Sequence, residues 1–262
     1  MSEAVAQAFA AAADYDRHAR VQRRVARDLA RRIAALPLPP APRVLEIGCG
    51  TGFLTEALRD EGLRGDWLVT DVAPAMVARA QDRLAAPSLP PRVGGEALRL
   101  SFAVLDGEQG TPPGGAFDLV CSSLATQWFG DEPAALNRWR EWLAPDGHIL
   151  VATLGPATFA EWRAAHAAEA VEPGTLDFTP LARWHAIGPA DPLSVETYRE
   201  DHANARAFLQ ALRAIGAGTA AAGHRPLSAG ALRRVMRRFE ATGAIARYEV
   251  VTCHLTRATA AP

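Results

Sequence analysis

Eight consecutive residues near position 50 have the types and spacing to bind a nucleoside: Leu45-Glu46-Ile47-Gly48-Cys49-Gly50-Thr51-Gly52. Glycines let a backbone turn sharply and approach a ligand that any Cβ would exclude. A dinucleotide fingerprint has the order G-x-G-x-x-G, in which N–H groups at a helix start cradle a pyrophosphate. Here the third glycine comes one position early, and Phe53 holds the dinucleotide position. A phosphate-gripping Walker lysine is impossible, because all 28 Lys and Arg residues are Arg. Asp71 ends an apolar run 19 residues beyond Gly52, where a carboxylate can accept both hydroxyls of a ribose. Asp106 follows a further apolar run, within reach of an adenine amino group. In this order the three features describe a site for a nucleoside that lacks a phosphate chain.

Regular elements must position these residues. Over 14–36, Val21, Val25, Leu29, Ile33 and Leu36 recur at helical spacing, with Arg20, Arg24, Arg27 and Arg31 on another face. Pro37, Pro39, Pro40 and Pro42 end that helix, and a buried strand Arg43–Ile47 follows. Strand and helix then alternate. Helices are expected at 54–58, 75–84 and 133–143, and strands at 67–70, 101–105, 117–121 and 148–154. Strands apolar on both faces between helices mean a mostly parallel sheet covered on each side. Later in the chain, helices are expected at 158–171, 202–215 and 228–240, and strands at 193–199 and 248–256. The rest of 156–190 reads as Pro/Gly-rich loop. No internal repeat is visible. The late helices should cover the strand ends, where such folds bind ligands.

The glycine loop and the two strand-end acids resemble the class I S-adenosylmethionine-dependent methyltransferases. The resemblance implies a Rossmann-like α/β fold with a seven-stranded, mostly parallel sheet, the last strand antiparallel, plus helical lid insertions. It divides the chain into an N-terminal helical cap (1–40), a cofactor-binding core (41–155) and lid segments with closing strands (156–262). It implies S-adenosylmethionine as cofactor and S-adenosylhomocysteine as product. By the same resemblance, Glu46, Gly48, Gly50 and Gly52 lie against the methionine part, Asp71 binds the ribose, and Met76 packs on adenine. Asp106 and Gly107 bind adenine, and Gln22, Cys49, Val72 and Ser122 complete the expected cofactor contacts.

A closer resemblance, over nearly the whole chain, is to the malonyl-[acyl-carrier protein] O-methyltransferases of biotin synthesis. Four segments carry it: the opening stretch 9–22 with Tyr15 and Gln22, and the stretch 117–128 ending in Gln127-Trp128. The others are 207–218, with Leu212-Arg213-Ala-Ile-Gly216-Ala, and the chain end 248–257. One departure is Ser123, where that family usually has Asn after a Ser. The resemblance implies that the free carboxylate of a malonyl thioester, on acyl carrier protein or coenzyme A, attacks the sulfonium methyl. A carboxyl group with a pKa of roughly 3–4 is already ionised at pH 7, so no catalytic acid or base is needed. Rate then comes from alignment and exclusion of water. Tyr15 and Trp128 are expected to wall the methyl site, Gln127 to make polar contacts, and Arg213 to hold the malonyl carboxylate. Methylation removes a charge, which lets the acid enter apolar acyl channels.

Composition sets limits on the alternatives. A chain of 262 residues, 49% hydrophobic and 22% charged, is ordinary globular protein with enough length for a large core. The net charge of −1 argues against bulk nucleic acid as a partner. The absence of Lys excludes Schiff-base chemistry. Three widely spaced cysteines, Cys49, Cys121 and Cys253, form neither a disulfide framework nor a zinc site and suit a reducing cytosol. The seven histidines include no H-x-x-x-H pair, so no metal is expected, and no G-x-S-x-G elbow is present. The apolar stretch 4–13 is preceded by Glu3 rather than Arg and interrupted by Gln7, unlike a signal peptide. No stretch is long enough to span a bilayer, so a cytoplasmic protein is expected. Carrier proteins are acidic. Two clusters could dock one: Arg20, Arg23, Arg24, Arg27, Arg31 and Arg32 early, and Arg225, Arg233, Arg234, Arg237 and Arg238 late. Two readings compete: a methyltransferase for another small acid or a quinone-type carbon, and a cofactor-binding regulator without turnover.

Overall fold

The computed structural model describes residues 15–85, 97–187, 193–218, 221 and 223–257. The 9–14 part of the opening segment and the apolar stretch 4–13 lie outside the described residues. Seven strands form one sheet: β1 (Arg43–Ile47), β2 (Gly65–Asp71), β3 (Leu98–Val104), β4 (Phe117–Ser123), β5 (Leu143–Leu154), β6 (Ser194–Asp201) and β7 (Ile245–Thr256). Their order is β3-β2-β1-β4-β5-β7-β6. All neighbours are parallel except β7, which runs antiparallel to both β5 and β6. The switch in direction lies at β1/β4, so the ends of β1, β2 and β4 open a crevice there.

Helices cover both faces. They are α1 (Tyr15–His18), α2 (Arg20–Ala34), α3 (Phe53–Asp60), α4 (Pro74–Leu84), α5 (Glu132–Trp139), α6 (Ala160–Ala167), α7 (Leu181–His185), α8 (Ala205–Ala214) and α9 (Ala229–Ala241). Strand alternation splits the core into two layers. Val44, Leu119, Cys121, Leu150 and Ala152 face α2 and α3, whose Val25, Leu29, Leu54 and Leu58 complete one layer. Leu45, Val120, Ile149 and Val151 face the other way, against Leu136, Trp139 and Trp184. Phe117 and Leu119 would share a face in a regular strand, yet they sit in opposite layers. A register shift against β5 between these two residues explains it.

Three boundaries differ from the periodicity. The helix expected over 14–36 breaks at Ala19, separating α1 from α2. The helix expected over 133–143 ends at Trp139, followed by a 3-10 turn over Arg140–Trp142. Strand β5 then starts at Leu143, because the Pro145-Asp146-Gly147 turn is absorbed within it, with Asp146 at φ 60°. The helix expected over 158–171 shrinks to Ala160–Ala167, because Phe159 adopts a left-handed φ of 59°. That strain is held by burial of its ring against Phe208 and Tyr248 and by an N–H bond to the Arg247 carbonyl at 2.7 Å. Helix α7 falls in a stretch that reads as loop; burial of Trp184, not periodicity, fixes it. The edge strand β3 is only partly covered, with Val104 exposed, so the expectation of two buried faces fails there.

Candidate active site

At the tips of β1 and β2, the glycine loop and Asp71 form one hydrogen-bonded unit. Asp71 Oδ2 accepts the N–H of Gly50 at 2.9 Å, and its Oδ1 accepts the N–H of Ala73 at 2.8 Å. The Val72 N–H is a third backbone donor to this carboxylate, which leaves it one free lone pair. Burial raises the Asp71 carboxyl above the usual range despite these bonds. Glu46 is also buried and accepts the Thr55 hydroxyl at 2.5 Å. Desolvation pushes its carboxyl up to about 7. Two acids held out of water at one cleft favour a ligand that brings a positive charge and hydroxyl donors. The Cys49 thiol is raised by burial and by Glu46 and Asp71, so it is unreactive.

The cleft encloses about 650 Å³ of empty space, part of it open to solvent. It brings together Tyr15, Gln22, Glu46, Gly48, Cys49, Gly50, Asp71, Val72, Met76 and Trp128, all expected from the sequence. Gly50 faces the open side: a Cβ there would meet nothing closer than the Tyr15 hydroxyl at 4.0 Å. Burial, followed by the Asp71 and Asp16 charges, pushes the Tyr15 phenol well above its ordinary range, so it stays protonated and can only donate or accept a hydrogen bond. Its position is fixed by neighbours that sequence reasoning missed. Asp16 accepts the Thr51 hydroxyl at 2.7 Å and pairs with Arg83, which also donates to the Thr51 carbonyl at 2.6 Å. Phe53 stacks on Tyr15 and lies under the guanidiniums of Arg23 and Arg83. This latch ties α1 to the glycine loop. No local pattern signals it, because residues 16, 51 and 83 lie on three separate elements.

Four expected cofactor residues do not line the cleft. Gly52, at φ 91°, ends the loop at the start of α3; a Cβ there would stand 3.3 Å from Leu84, so the residue serves helix packing. Ser122 is buried and donates to the Ile47 carbonyl at 2.8 Å; strand alternation turns its neighbour Ser123 to the cleft instead. Asp106 accepts the N–H groups of Glu108 and Gln109 at 2.8 and 3.2 Å, closing the turn after β3. A Cβ on Gly107 would fall 2.2 Å from the Ile47 side chain, so this glycine lets the turn pack on β1.

A second, larger chamber of about 1,490 Å³, also part open, adjoins the cleft and shares Tyr15, Gln22, Leu124 and Trp128 with it. Its walls are mostly apolar side chains from α6, α8, α9 and the strap at 173–178. Gln127 and Arg213 line it, as expected. Arg213 is the only guanidinium among the lining residues and makes no hydrogen bond or ion pair among the described residues. Gln127 is oriented by donating to the Leu124 carbonyl at 2.7 Å. The turn that carries Gln127 and Trp128 is anchored by Glu132, a further residue that sequence reasoning missed. This buried acid accepts hydroxyls from Thr126 (2.7 Å), Thr153 (2.6 Å) and Thr179 (2.8 Å). Thr179 follows the strap, so a single carboxylate joins the two chamber walls.

The two arginine clusters divide into paired and unpaired residues. Arg31 pairs with Asp28, Arg32 with Glu196, and Arg24 lies over Tyr198. Arg234 and Arg238 both pair with Glu169. Arg225, Arg233 and Arg237 have no ion pair among the described residues; Arg225 and Arg233 adjoin chamber-lining residues at 224, 226 and 232, and Arg237 lies one turn beyond Arg233 on α9. Among the described residues no helix is long and apolar enough to cross a membrane, and no group of three His, Cys, Asp or Glu is placed to hold a metal.

Comparison with known proteins gives a consistent picture. The methyltransferase-domain family matches residues 15–240. A malonyl-[acyl-carrier protein] O-methyltransferase from Magnetococcus marinus is 40% identical over 236 residues, covering 88% of this chain and 83% of the relative. The biotin biosynthesis bifunctional protein BioCD of Bordetella avium is 43% identical over 246 residues, 94% of this chain. The chain spans 50% of that relative's length. Among solved structures, a provisionally assigned methyltransferase of Bacillus halodurans superposes with a TM-score of 0.59 at 12% identity, covering 88% of this chain and 99% of that one. The YcgJ protein of Bacillus subtilis gives 0.57 at 14% identity, covering 88% and 98%. These two support the Rossmann-like methyltransferase fold alone.

Proposed function

The chain belongs to the methyltransferase-domain family and, within it, to the malonyl-[acyl-carrier protein] O-methyltransferases; on that premise we propose that it methylates the free carboxylate of a malonyl thioester borne by acyl carrier protein. The cofactor implied by the family and fold is S-adenosylmethionine, which supplies an electrophilic methyl on a positively charged sulfur. The residues present fit it. Asp71 keeps a lone pair for a ribose hydroxyl, and Glu46 and Asp71 are desolvated acids that a cation relieves. Gly48, Gly50 and Cys49 leave room beside the loop, and Val72 and Met76 offer an apolar shelf for adenine.

The chain's own contribution to the reaction is placement. The nucleophile arrives ionised, so no side chain has to remove a proton. Tyr15 and Trp128 stand at the junction of cleft and chamber and restrict the carboxylate to one approach. Arg213 supplies the one guanidinium of a mostly apolar space to the carboxylate. One cation orients the acid without suppressing its nucleophilicity as a clamp of several would. The mostly apolar walls limit water around that contact, which strengthens it. The observation that carries this reading is the continuity of the two-acid cleft with a mostly apolar chamber holding one arginine that is unpaired among the described residues.

We assign residues 41–155 to cofactor binding and 156–262 to the lid and closing strands. Arg225, Arg233 and Arg237 are the cations we assign to carrier docking. The name of the Bordetella relative supports a place for the product in biotin synthesis, and the three buried free cysteines fit a reducing cytoplasm. The test is mass spectrometry of malonyl-carrier protein, malonyl-coenzyme A, free malonate and aconitate after incubation with the cofactor. A gain of one CH2 on the malonyl thioester supports the proposal; methylation only of a free acid, or of none, overturns it.

A further inference from the structure

The chamber carries a second fixed polar group, away from the cleft. His166, on α6, is buried at 2% exposure and lines the chamber but not the cleft. Its Nδ1 lies 2.8 Å from the Trp162 carbonyl oxygen, one turn earlier on the same helix. A carbonyl only accepts, so Nδ1 carries the proton and Nε2 presents a lone pair. Nε2 has no hydrogen-bond partner among the described residues. Burial and the nearby His224 hold the imidazole below its ordinary range, which keeps it neutral.

The surroundings are built around this end of the chamber. Trp162 packs against His166 at 4.7 Å between ring centroids. His224 also lines the chamber and lies against Gly174: a Cβ at 174 would come within 2.8 Å of the His224 ring. Phe178, Leu209 and Leu232 supply apolar wall. A neutral acceptor set in apolar surface selects a ligand that brings an N–H or O–H donor, because an unpaired polar group there is costly.

The malonyl group itself fills only a small part of some 1,490 Å³. Carrier-borne and coenzyme A thioesters both attach their acyl group to pantetheine, a flexible chain whose amides are N–H donors. The reacting carboxylate belongs at the junction with the cleft, so the arm must extend into the part of the chamber that does not border the cleft. We propose that His166 is a substrate-binding residue whose Nε2 accepts a hydrogen bond from an amide N–H of the pantetheine arm. This rests on the malonyl-thioester reading and adds to it a recognition element separate from Arg213.

The experiment compares malonyl-pantetheine with a malonyl thioester of an alkyl thiol of equal length, which has no amide. The unaltered enzyme should prefer malonyl-pantetheine about fivefold in kcat/KM, mainly through KM, as one neutral hydrogen bond would give. His166→Phe should collapse that ratio, and His166→Gln, which again offers an acceptor, should restore part of it. A ratio unchanged in His166→Phe overturns the proposal, whether both rates fall or neither does. Nitrogen NMR of the unaltered protein gives a readout that survives a misfolded variant. The His166 Nε2 resonance should move on binding the pantetheine thioester and stay put with the alkyl one; equal behaviour with both overturns the proposal. Absence of turnover on either thioester counts against the malonyl reading instead, and the nitrogen resonance then still decides His166.

Discussion

The backbone N–H of Gly50 donates to Oδ2 of Asp71 at 2.9 Å, so the glycine loop after β1 and the acid at the tip of β2 cannot move independently. Both oxygens of Asp71 accept backbone N–H groups, the second from Ala73. In Asp71→Asn, an amide NH2 must face one of these two donors. A lost charge-assisted bond of about 1.5–3 kcal/mol predicts at least a tenfold weaker binding of S-adenosylhomocysteine. Isothermal calorimetry on the folded variant checks it; unchanged affinity would remove Asp71 from the site.

Glu46 should make cofactor binding depend on pH. Its folded pKa of about 7 lies above the usual glutamate value, so the folded protein keeps a proton that the unfolded chain releases. This contribution to stability is fully present below about pH 4.5 and is lost as pH rises through 7. A cationic ligand prefers the ionised carboxylate. Affinity for S-adenosylhomocysteine, whose amino group is charged, should therefore rise severalfold from pH 6 to pH 8. Glu46→Gln should flatten that rise, and an equally steep profile in the variant would assign the proton to another group.

Two neighbouring glycines should fail in different ways. A Cβ at Gly48 would lie 2.3 Å from the Ala125 Cβ, so Gly48→Ala must shift the turn that leads to Trp128. It should cost about 1–3 kcal/mol of stability in urea unfolding. Gly50→Ala meets no neighbour within 4 Å except the Tyr15 hydroxyl but keeps a left-handed φ of 53° in the cleft. Its stability loss should be about 1 kcal/mol, with the larger effect on cofactor affinity. Equal losses in both measurements for both variants would contradict this division.

Glu132 holds three threonine hydroxyls at once. An amide nitrogen cannot accept a hydrogen bond, so Glu132→Gln forces at least one of these hydroxyls to turn and accept instead of donate, which breaks the present network and should destabilise the fold by about 1–3 kcal/mol. Thr179→Val removes a single donor and should cost about 1 kcal/mol. Chemical denaturation orders the two; the reverse order would show that the network is not centred on Glu132.

Arg213 and the unpaired arginines near the chamber should separate by salt. Arg213→Ala should raise KM for malonyl-pantetheine about tenfold or more, with cofactor affinity unchanged, because it removes a charged contact inside the chamber. Arg233→Glu with Arg237→Glu should raise KM for malonyl-carrier protein only, and the unaltered enzyme's KM for the carrier should climb with ionic strength. An equal effect on the small thioester would show that these two arginines do not contact the carrier.

Much of this protein is written in short-range pattern. Val21, Val25, Leu29 and Ile33 recur at helical spacing and do form the buried stripe of α2. The run Arg43–Ile47, the glycines after it and Asp71 needed no neighbour beyond a few residues to be recognisable, because backbone turns and strand ends impose their residue types locally. The resemblance added the Gln127-Trp128 turn and Arg213. Side-chain parity set a limit: Ser122 and Ser123 are alike in sequence, and only the pairing of β4 with its neighbours turned Ser123 to the cleft. The bonds of Asp106 likewise depend on the turn that follows it.

What only the tertiary structure decided are the contacts between distant segments. Thr126, Glu132, Thr153 and Thr179 meet at one carboxylate, Asp16, Thr51 and Arg83 at another, and Glu169 takes Arg234 and Arg238 out of the free basic surface. Hydrophobic periodicity reports which face of an element is buried and says nothing of which polar side chain meets which across the core. Those meetings follow from strand order and from helix packing on the sheet. The sequence therefore marked the cleft at the glycine loop, and the folded chain determined the chamber beside it, its one arginine unpaired among the described residues and its fixed imidazole.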